Sequence, residues 1–377
     1  MERKIIMMEN KEAIIKEAEE SVLHTYNRYQ IVLDHGEGVY LYDNEGKKYL
    51  DFSAGYAVSS LGYNNKEFND ALKAQIDKMI HTSNLYYNTT CGKAGEDLKK
   101  ITGMYKVFFT NSGGEAIEGA IKTARKYAYT KKTGRYEFIA MENSFHGRSM
   151  GAVALTGHKE YREPFEPVMP GVHFAIYNDL DSVKALVNDK TCAIILETIQ
   201  GEGGINAATK EFMQGIRKIC DENGILMICD EVQCGMGRSG AWFAWQQMGI
   251  TPDIMTMAKA IGSGVPVGAF AMTKEVADNS LVPGDHGTTY GGNPLCCAAV
   301  SKTIEIFEKE HMLDHVNEIA PYLTQKLQEI VDTCDAAVKV KGRGLIQGLQ
   351  ITKPLGEVTA KALEEGLLII GAGTDVI

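Results

Sequence analysis

The sequence contains no uninterrupted apolar run long enough to cross a membrane as a helix. Such a span needs roughly 20 consecutive apolar residues, and no window of the 377-residue chain approaches that length. Between the charged residues Lys4 and Glu9 stand only four apolar residues, which is too few for the apolar core of a signal peptide. We therefore expect neither a membrane helix nor a secretory signal in this sequence.

The chain also lacks a surplus of positive charge. Lys and Arg together number 39 and Asp and Glu number 49, so the net charge is −10. Proteins that bind nucleic acids neutralise phosphates with basic side chains, and this charge balance argues against that class. With 44% apolar and 23% charged residues, the composition is that of a globular protein.

Internal repeats, low-complexity tracts and linkers rich in Pro or Ser are absent, and the eight cysteines form no recognisable motif. No two of them have the two-residue spacing of zinc or thioredoxin sites. Most lie within apolar runs, where a free thiol behaves as a small apolar group. His311 and His315 have the helical spacing of metal ligands, but no third ligand accompanies them. We expect no bound metal, and reduced thiols in the cytoplasm.

From about residue 105 to residue 273, short apolar runs alternate with longer stretches of helical periodicity. This alternation predicts an α/β fold in which helices cover both faces of a mostly parallel seven-stranded sheet. The predicted strands are Lys106–Thr110, Phe138–Glu142, Val172–Tyr177, Cys192–Glu197, Leu226–Asp230, Ile254–Ala258 and Gly268–Thr273. In such sheets ligands bind beyond the carboxyl ends of the strands, so the polar residues that follow each run are the candidate site residues.

The segments on either side of this alternation have other patterns. Residues 9–24 have the spacing of an amphipathic helix, and residues 39–52 predict a hairpin around a glycine turn. Residues 303–335 predict helices, and residues 336–351 predict short strands. We predict a large central domain and a smaller α+β domain formed by both chain ends. The expected boundaries are 1–55 for the first part of the small domain, 56–304 for the large domain and 305–377 for the second part of the small domain.

The first candidate loop, Thr110–Glu115, lies between a predicted strand and a predicted helix. Ser112, with Glu115 three residues later, has the pattern of a capping box. Gly113 and Gly114 allow backbone N–H groups to approach an anion, which the helix dipole also favours. Taken alone, the motif is explained at least as well by a capped helix that binds nothing.

Two further loops place charged side chains directly after buried strands. Asp230 ends an apolar run, and a carboxylate there is costly unless it meets a cation. Lys259 follows another run, where loss of solvation lowers the pKa of a lysine and leaves a neutral amine able to form an imine. Each has a structural alternative, because Asp230 could cap the strand through backbone hydrogen bonds and Lys259 could extend to solvent.

Together these loops indicate one kind of cofactor site. A helix start for a phosphate, an aspartate for a protonated ring nitrogen and a lysine for an aldehyde are the groups that hold pyridoxal phosphate. A fourth loop, Gly287–Pro294, combines hydroxyls with glycines and suits a second phosphate contact, although it is also typical of an ordinary loop. A nucleotide-binding domain is a weaker alternative, because no glycine-rich dinucleotide motif or P-loop follows a strand.

On these motifs the chain resembles the class III aminotransferases of pyridoxal-phosphate fold type I, over essentially its whole length. The matching segments are Asn111–Ala116, Ser144–Arg148, Glu197–Gly204, Asp230–Gln233, Ala258–Pro266 and His286–Pro294. The resemblance implies pyridoxal 5′-phosphate as cofactor and a homodimer with shared active sites. Because of segment His81–Asn88 and the Phe-His-Gly-Arg form at Phe145–Arg148, it also implies transfer of an amino group from N-acetylornithine to 2-oxoglutarate.

The resemblance assigns roles position by position. It implies that Lys259 holds the cofactor aldehyde and that Asp230 pairs with the ring nitrogen. The other implied cofactor contacts are Ser112, Gly113, Gly114 and Thr289 at the phosphate, Phe145 and Val232 on the two ring faces, and Gln233 at the 3′ oxygen. The implied substrate contacts are Arg148 for the α-carboxylate, with Thr288, Glu202 and Tyr56 nearby. In the family the threonine at the position of Thr289 comes from the neighbouring subunit.

The sequence departs from the family pattern in three places. In relatives, the glutamate at the position of Glu202 pairs with an arginine that follows the motif ending here at Ile377. We therefore expect the second part of the small domain, residues 305–377, to be truncated. We also expect the half-reaction with a dicarboxylate acceptor to be slow. Leu61–Asn64 differs from the usual Gly-His, which we interpret as a structural variation. Tyr56 is typical of members that act on ornithine, so ornithine or another ω-amine is the alternative substrate. An aminomutase, an epimerase or a cofactor-binding paralogue without catalysis are further alternatives.

Overall fold

The computed structural model describes residues 10–377. The opening stretch Met1–Glu9, considered above for a signal sequence, lies outside the described residues. The strands are β1 (Leu33–Glu37), β2 (Tyr40–Asp43), β3 (Lys48–Asp51), β4 (Lys106–Thr110), β5 (Glu137–Met141), β6 (Val172–Ala175), β7 (Thr191–Glu197), β8 (Ile199–Gln200), β9 (Asn206–Ala207), β10 (Leu226–Asp230), β11 (Ile254–Met257), β12 (Gly268–Met272), β13 (Ala337–Arg343), β14 (Ile346–Ile351) and β15 (Leu367–Leu368).

The helices are α1 (Lys11–Ser21), α2 (Ala54–Ala57), α3 (Lys66–Lys78), α4 (Cys91–Thr102), α5 (Gly113–Thr130), α6 (Met150–Leu155), α7 (Lys159–Arg162), α8 (Leu180–Leu186), α9 (Lys210–Asn223), α10 (Lys274–Asp278), α11 (Pro294–Lys309), α12 (Met312–Thr333) and α13 (Leu355–Glu364). Short 3₁₀ helices span Glu163–Phe165, Ala244–Met248 and Lys259–Ile261. Within residues 10–377, no helix has both the length and the apolar character that a membrane crossing requires.

All seven predicted central runs form strands of one sheet. The strand order is β4-β12-β11-β10-β7-β5-β6. Neighbouring strands are parallel except where β12 is involved, because β12 runs antiparallel to both β11 and β4. The prediction of an α/β fold with a mostly parallel seven-stranded sheet is therefore confirmed. The carboxyl ends of the six parallel strands meet at one edge, where the polar loops follow.

Helices cover both faces of this sheet because its strands are apolar on both sides. Ile228 of β10 packs in the apolar cluster that contains Ile117 of α5. Its neighbour Met227 points to the opposite face, into the cluster that contains Phe212 of α9. Each such fully buried side chain stabilises the fold by about 1.5–3 kcal/mol, which holds the strand ends in fixed positions.

A second, four-stranded sheet joins the two ends of the chain. Its order is β1-β2-β3-β15, in which β2 and β3 form the predicted hairpin and β15 pairs parallel with β3. The predicted C-terminal strands form a separate antiparallel hairpin of β13 and β14. Past β15, Val376 makes only isolated bridges, to Gln350 and Ala372. The boundaries of the two predicted domains stay a prediction.

Candidate active site

A cavity of about 160 Å³ lies at the carboxyl edge of the main sheet. Eight of the residues singled out in the sequence line it: Gly113, Gly114, Phe145, Glu202, Asp230, Val232, Gln233 and Lys259. The same cavity is lined by residues to which the sequence analysis gave no role, namely His146, Gly147, Glu197, Ile199 and Cys234. The fold thus collects segments that are far apart in the sequence around one small space.

Asp230 is a buried carboxylate held from three sides. It ends β10, and the sheet register sets it beside Glu197 of β7 and Thr256 of β11. Its Oδ1 accepts hydrogen bonds from the Thr256 hydroxyl and from the backbone N–H of Val232, both at 3.0 Å. Its Oδ2 lies 2.7 Å from Nδ1 of His146. These bonds fix the carboxylate at the cavity wall.

His146 is a functional candidate that the sequence analysis missed. Burial by itself lowers the pKa of this imidazole, but the hydrogen bond and the charge of Asp230 outweigh burial and raise the pKa above its usual value. Nε2 of His146 is buried and has no hydrogen-bond partner among the described residues. His146 belongs to the Phe-His-Gly-Arg motif noted in the sequence. Its contact with Asp230, however, follows only from the order of the strands.

Lys259 also lines the cavity and lies two residues after β11. Its backbone has a φ of 51°, a left-handed conformation that costs a non-glycine residue on the order of 1–3 kcal/mol and is found mostly at functional sites. Burial lowers the pKa of Lys259, although the negative charges of Glu202 and Asp230 oppose the shift. No carboxylate of residues 10–377 lies within 4.0 Å of its ammonium group.

The start of helix α5, at Gly113 and Gly114, also lines the cavity. Ser112 caps the helix, and its Oγ accepts from the backbone N–H of Glu115 at 3.2 Å. The predicted capping box is wrong in its second half, because the Glu115 carboxylate accepts from the backbone N–H of Asn111, at 2.9 Å, and not from that of Ser112. The first turn of an 18-residue helix therefore faces the cavity, and such a turn favours an anion.

Two glycines let the side chains of the Asp230–Gln233 loop approach the cavity. A Cβ atom on Gly113 would lie 2.8 Å from Cγ1 of Val232. A Cβ atom on Gly201 would lie 1.2 Å from Oε1 of Gln233. Since real Cβ contacts are not that short, both positions require glycine for the observed side-chain placement.

Two buried glutamates, Glu197 in the cavity lining and Glu231 beside Asp230 in the chain, accept hydrogen bonds from neighbouring segments. Burial raises the pKa of Glu197 to about 7, and its carboxylate accepts from the backbone N–H groups of Phe145 and Gly201. Burial likewise raises the pKa of Glu231 to about 7. Glu231 accepts from the Thr198 hydroxyl at 2.6 Å and from two backbone N–H groups of the segment that starts at Ala244.

The remaining predicted residues lie outside this cavity. Arg148 is exposed, and its guanidinium stacks 3.9 Å from the ring centroid of Tyr161. Thr288 accepts a hydrogen bond from Asn111 at 3.0 Å, whereas Thr289 is exposed. Tyr56 lines an adjoining cavity of about 100 Å³. The chain by itself therefore does not bring Thr289 to the site.

Comparison with known proteins decides the family. The family model described as "Aminotransferase class-III" matches residues 22–377. The chain is a class III aminotransferase. It is 45% identical to the acetylornithine aminotransferase of Aquifex aeolicus, over 92% of this chain and 91% of that protein. It is 44% identical to the acetylornithine aminotransferase of Clostridium acetobutylicum, over 94% of this chain and 92% of that protein.

A solved aminotransferase structure has the same fold. The ornithine aminotransferase of Toxoplasma gondii, with PLP at partial occupancy in its active site, superimposes with a TM-score of 0.94. It is 28% identical and covers 99% of this chain and 90% of its own. The cofactor of this class III aminotransferase is accordingly pyridoxal phosphate.

The residues of the cavity fit that cofactor. The start of α5 suits the phosphate, and the buried carboxylate of Asp230 suits a protonated ring nitrogen. Lys259 has no competing carboxylate within 4.0 Å among the described residues, so its amine is available for the aldehyde. Phe145 and Val232 both line the cavity and offer apolar surfaces to a flat ring.

Proposed function

We propose that this class III aminotransferase moves the δ-amino group of N-acetylornithine to 2-oxoglutarate, giving N-acetylglutamate semialdehyde and glutamate, as a step of arginine biosynthesis. The observation that carries the catalytic part is the convergence of Asp230, Lys259 and the α5 start on one cavity. The substrate choice is supported by the names of the relatives at 43–45% identity, which are acetylornithine aminotransferases.

In this proposal the chain's residues hold and orient the cofactor. When bound, pyridoxal phosphate supplies an electron sink for the carbon that bears the reacting amine. The Asp230 carboxylate keeps the ring nitrogen protonated, and His146 with Thr256 keeps that carboxylate oriented. Ser112, Gly113 and Gly114 would bind the phosphate, Phe145 and Val232 would pack against the ring, and Gln233 would donate a hydrogen bond to its 3′ oxygen.

Lys259 acts as the base and acid. Its lowered pKa favours a neutral amine, which would take up and hold the proton from the substrate carbon that carries the amine. The other end of N-acetylornithine carries a carboxylate, which suits the planar fork of Arg148. Stacking of Arg148 on Tyr161 orders that guanidinium before the substrate arrives. Thr288 would lie near the substrate.

The direct test is spectroscopic. Purified enzyme should be yellow, N-acetylornithine should remove the colour, and 2-oxoglutarate should restore it. A transaminase requires a 2-oxo acid as its second substrate, whereas an aminomutase or an epimerase does not. A yellow protein that no amine bleaches would indicate a paralogue without catalysis.

A homodimer is part of the proposal. Leu85 and Tyr87 are 87% and 107% exposed, and Tyr290, in the loop of Thr289, is 61% exposed. Asn84 ties the two loops together by donating to the carbonyl oxygens of Thr288 and Gly291. Clustered exposed aromatic side chains mark an interaction surface, and a second copy packed there would receive Thr289 in its own site. We also propose a cytoplasmic location, in keeping with the free cysteine thiols.

Ornithine is the second candidate substrate, and Tyr56 favours it. This side chain lines the adjoining cavity together with Glu202. Burial and then the charge of Glu202 raise the pKa of Tyr56, so hydroxyl and carboxylate face a common space. A free α-ammonium group would be attracted there, whereas an acetylated one would not. Glu202→Gln should lower kcat/KM for ornithine more than for N-acetylornithine if ornithine is the natural amine.

A further inference from the structure

The turn Lys259–Ser263, called the lysine turn below, has a left-handed backbone at both of its ends. The φ angle is 51° at Lys259 and 47° at Ser263, a region that few residue types other than glycine, asparagine and aspartate adopt. The backbone N–H of Gly262 closes the turn by donating to the carbonyl oxygen of Lys259 at 3.1 Å. A backbone strained in this way persists only where surrounding groups hold it.

A chain of hydrogen bonds holds the lysine turn from outside. The backbone N–H of Leu61 donates to Oγ of Ser263 at 3.2 Å. The hydroxyl oxygens of Ser263 and Ser60 lie 2.9 Å apart, and Ser60 donates to the carbonyl oxygen of Ala260 at 3.2 Å. Because each hydroxyl has one hydrogen to donate, Ser263 is the donor to Ser60. A glycine at position 263 would relieve the backbone strain but could make neither of the bonds to Ser263 Oγ.

An apolar contact holds the same two segments together. Leu61 and Val265, which lies two residues beyond the lysine turn, both pack against the buried cluster of Phe68, Ala299 and Ile306. The segment Ser60–Tyr63 therefore lies against the lysine turn through apolar side chains as well as through hydroxyls.

The other end of the segment Ser60–Tyr63 is attached to the four-stranded sheet. Tyr63 and Gly38 exchange two backbone hydrogen bonds, at 2.7 and 3.0 Å. The Tyr63 hydroxyl donates to Oδ2 of Asp51, at the end of β3, at 2.6 Å. A Cβ atom on Gly36 of β1 would lie 2.5 Å from Cγ of Tyr63, so the ring lies directly on this strand. Tyr63 belongs to the stretch that departs from the usual Gly-His, and these contacts give the departure a structural purpose.

We propose that the segment Ser60–Tyr63 fixes the backbone of Lys259 at the angle that its amine needs for proton transfer. Ser60 and Ser263 are the positioning residues, and Tyr63 anchors them to the four-stranded sheet. None of the three lines the active-site cavity, so they act through the lysine turn and not on the substrate. The inference rests on the proposed function, because it assumes that Lys259 takes up the proton. A displacement of about 1 Å at a reacting group can slow a reaction roughly 100-fold.

Substitution of each hydroxyl tests the proposal. Ser263→Ala keeps the Cβ atom, and with it the cost of the left-handed backbone, and removes only the hydroxyl. Ser60→Ala removes the other hydroxyl, and Ser60→Thr restores one at the same place. Ser301→Ala is the matched control, because the Ser301 hydroxyl is buried and has no hydrogen-bond partner among the described residues.

Tyr63→Phe removes the bond to Asp51 and tests the anchor. Its matched control is Tyr49→Phe, because the Tyr49 hydroxyl makes an equivalent bond of 2.8 Å to Oδ2 of Asp43 in the same sheet. Tyr49 makes no contact in the chain of bonds described above, so its loss should lower the unfolding temperature without reaching the lysine turn.

Two measurements report on the proposal. Hydrogen exchange of the backbone amides of residues 258–265, followed by mass spectrometry on the apoenzyme, reports on the lysine turn itself. The isotope effect on kcat with N-acetylornithine deuterated at the carbon that bears the δ-amino group reports on the proton transfer.

We expect Ser263→Ala to exchange these amides at least tenfold faster than the wild type. It should lower kcat about tenfold, change KM for the amine less than about threefold, and raise the isotope effect because proton transfer becomes slower. Ser60→Ala should act in the same direction, and Ser60→Thr should recover most of the loss. Tyr63→Phe should speed exchange about threefold, whereas Ser301→Ala and Tyr49→Phe should match the wild type in both measurements.

Unchanged exchange or an unchanged isotope effect in Ser263→Ala would overturn the inference, and so would equal changes in either control. Wild-type exchange in Tyr63→Phe would overturn the part assigned to Tyr63. Failure of the proposed function looks different, because the wild-type enzyme itself would then not react with N-acetylornithine or ornithine, while hydrogen exchange would still show whether the turn is held.

Discussion

At the scale of single residues, the site depends on how Asp230 is held. Three donors converge on its carboxylate, from Thr256, Val232 and His146. Hydrogen bonds to a charged acceptor are about twice as strong as neutral ones, and the buried setting makes them stronger still. The carboxylate is therefore already oriented toward a cation in the cavity.

Replacement of Asp230 by asparagine tests this role. Asp230→Asn keeps the size of the side chain but removes the charge that holds a proton on the ring nitrogen. We expect the variant to retain cofactor, shown by absorbance, and to lose at least about 100-fold in kcat, close to 3 kcal/mol of barrier. Thr256→Val removes one hydrogen bond and leaves the charge, so it should cost far less. A loss below tenfold in Asp230→Asn would contradict the assignment.

At the scale of elements, close contacts between loops decide where side chains point. The Ile199–Gly204 segment runs against the Asp230–Gln233 loop, and only the missing side chain of Gly201 gives Gln233 its place. Gly201→Ala should displace the Gln233 amide and weaken cofactor binding about tenfold, measured by fluorescence titration. Gly95→Ala, on a helix surface with nothing within 4 Å of the added atom, is the matched control. Equal affinity in the two variants would show that Gln233 does not contact the cofactor.

Glu231 links the end of β10 to the 3₁₀ helix Ala244–Met248 and makes stability depend on pH. Its native pKa of about 7, like that of Glu197, lies above the ordinary value of 4.5. Between these values the native state binds more protons than the unfolded state, so stability falls as pH rises from 5 through 7. The free energy of unfolding of Glu231→Gln should fall less over this pH range than that of the wild type, and the difference should be about 1 to 3 kcal/mol. Urea denaturation at each pH measures it. A slope as steep as that of the wild type would contradict the buried, protonated carboxyl.

At the scale of elements, some features of the site could be predicted from the sequence and others could not. The seven strands, Asp230 and Lys259 were predictable, because apolar runs and the charges that end them are local in the sequence. The contact between His146 and Asp230 was not, because it depends on β7 lying between β5 and β10. Glu197 and Glu231 were missed for a related reason, because the lateral order of the strands and the packing of the loops give them their partners.

At the scale of the whole molecule, the exposed loops bearing Leu85, Tyr87 and Tyr290 predict a dimer. Tyr87→Glu should place a charge in that interface and shift the protein toward monomer in analytical ultracentrifugation, with loss of activity because Thr289 of the second copy no longer reaches the site. Tyr129→Glu alters a tyrosine that is 77% exposed on another surface, and it should leave both assembly and activity unchanged. Dimers of unaltered stability in Tyr87→Glu would place the interface elsewhere.

Lys259, two residues after β11, is the residue on which the proposed chemistry depends most directly. Borohydride reduction of the cofactor-loaded enzyme makes the bond between lysine and cofactor permanent, and peptide mapping by mass spectrometry then locates it. We predict that the label falls on Lys259 alone, and that Lys259→Ala takes up no label although it folds. Label on any other lysine, or an unchanged yield in Lys259→Ala, would contradict the site described here.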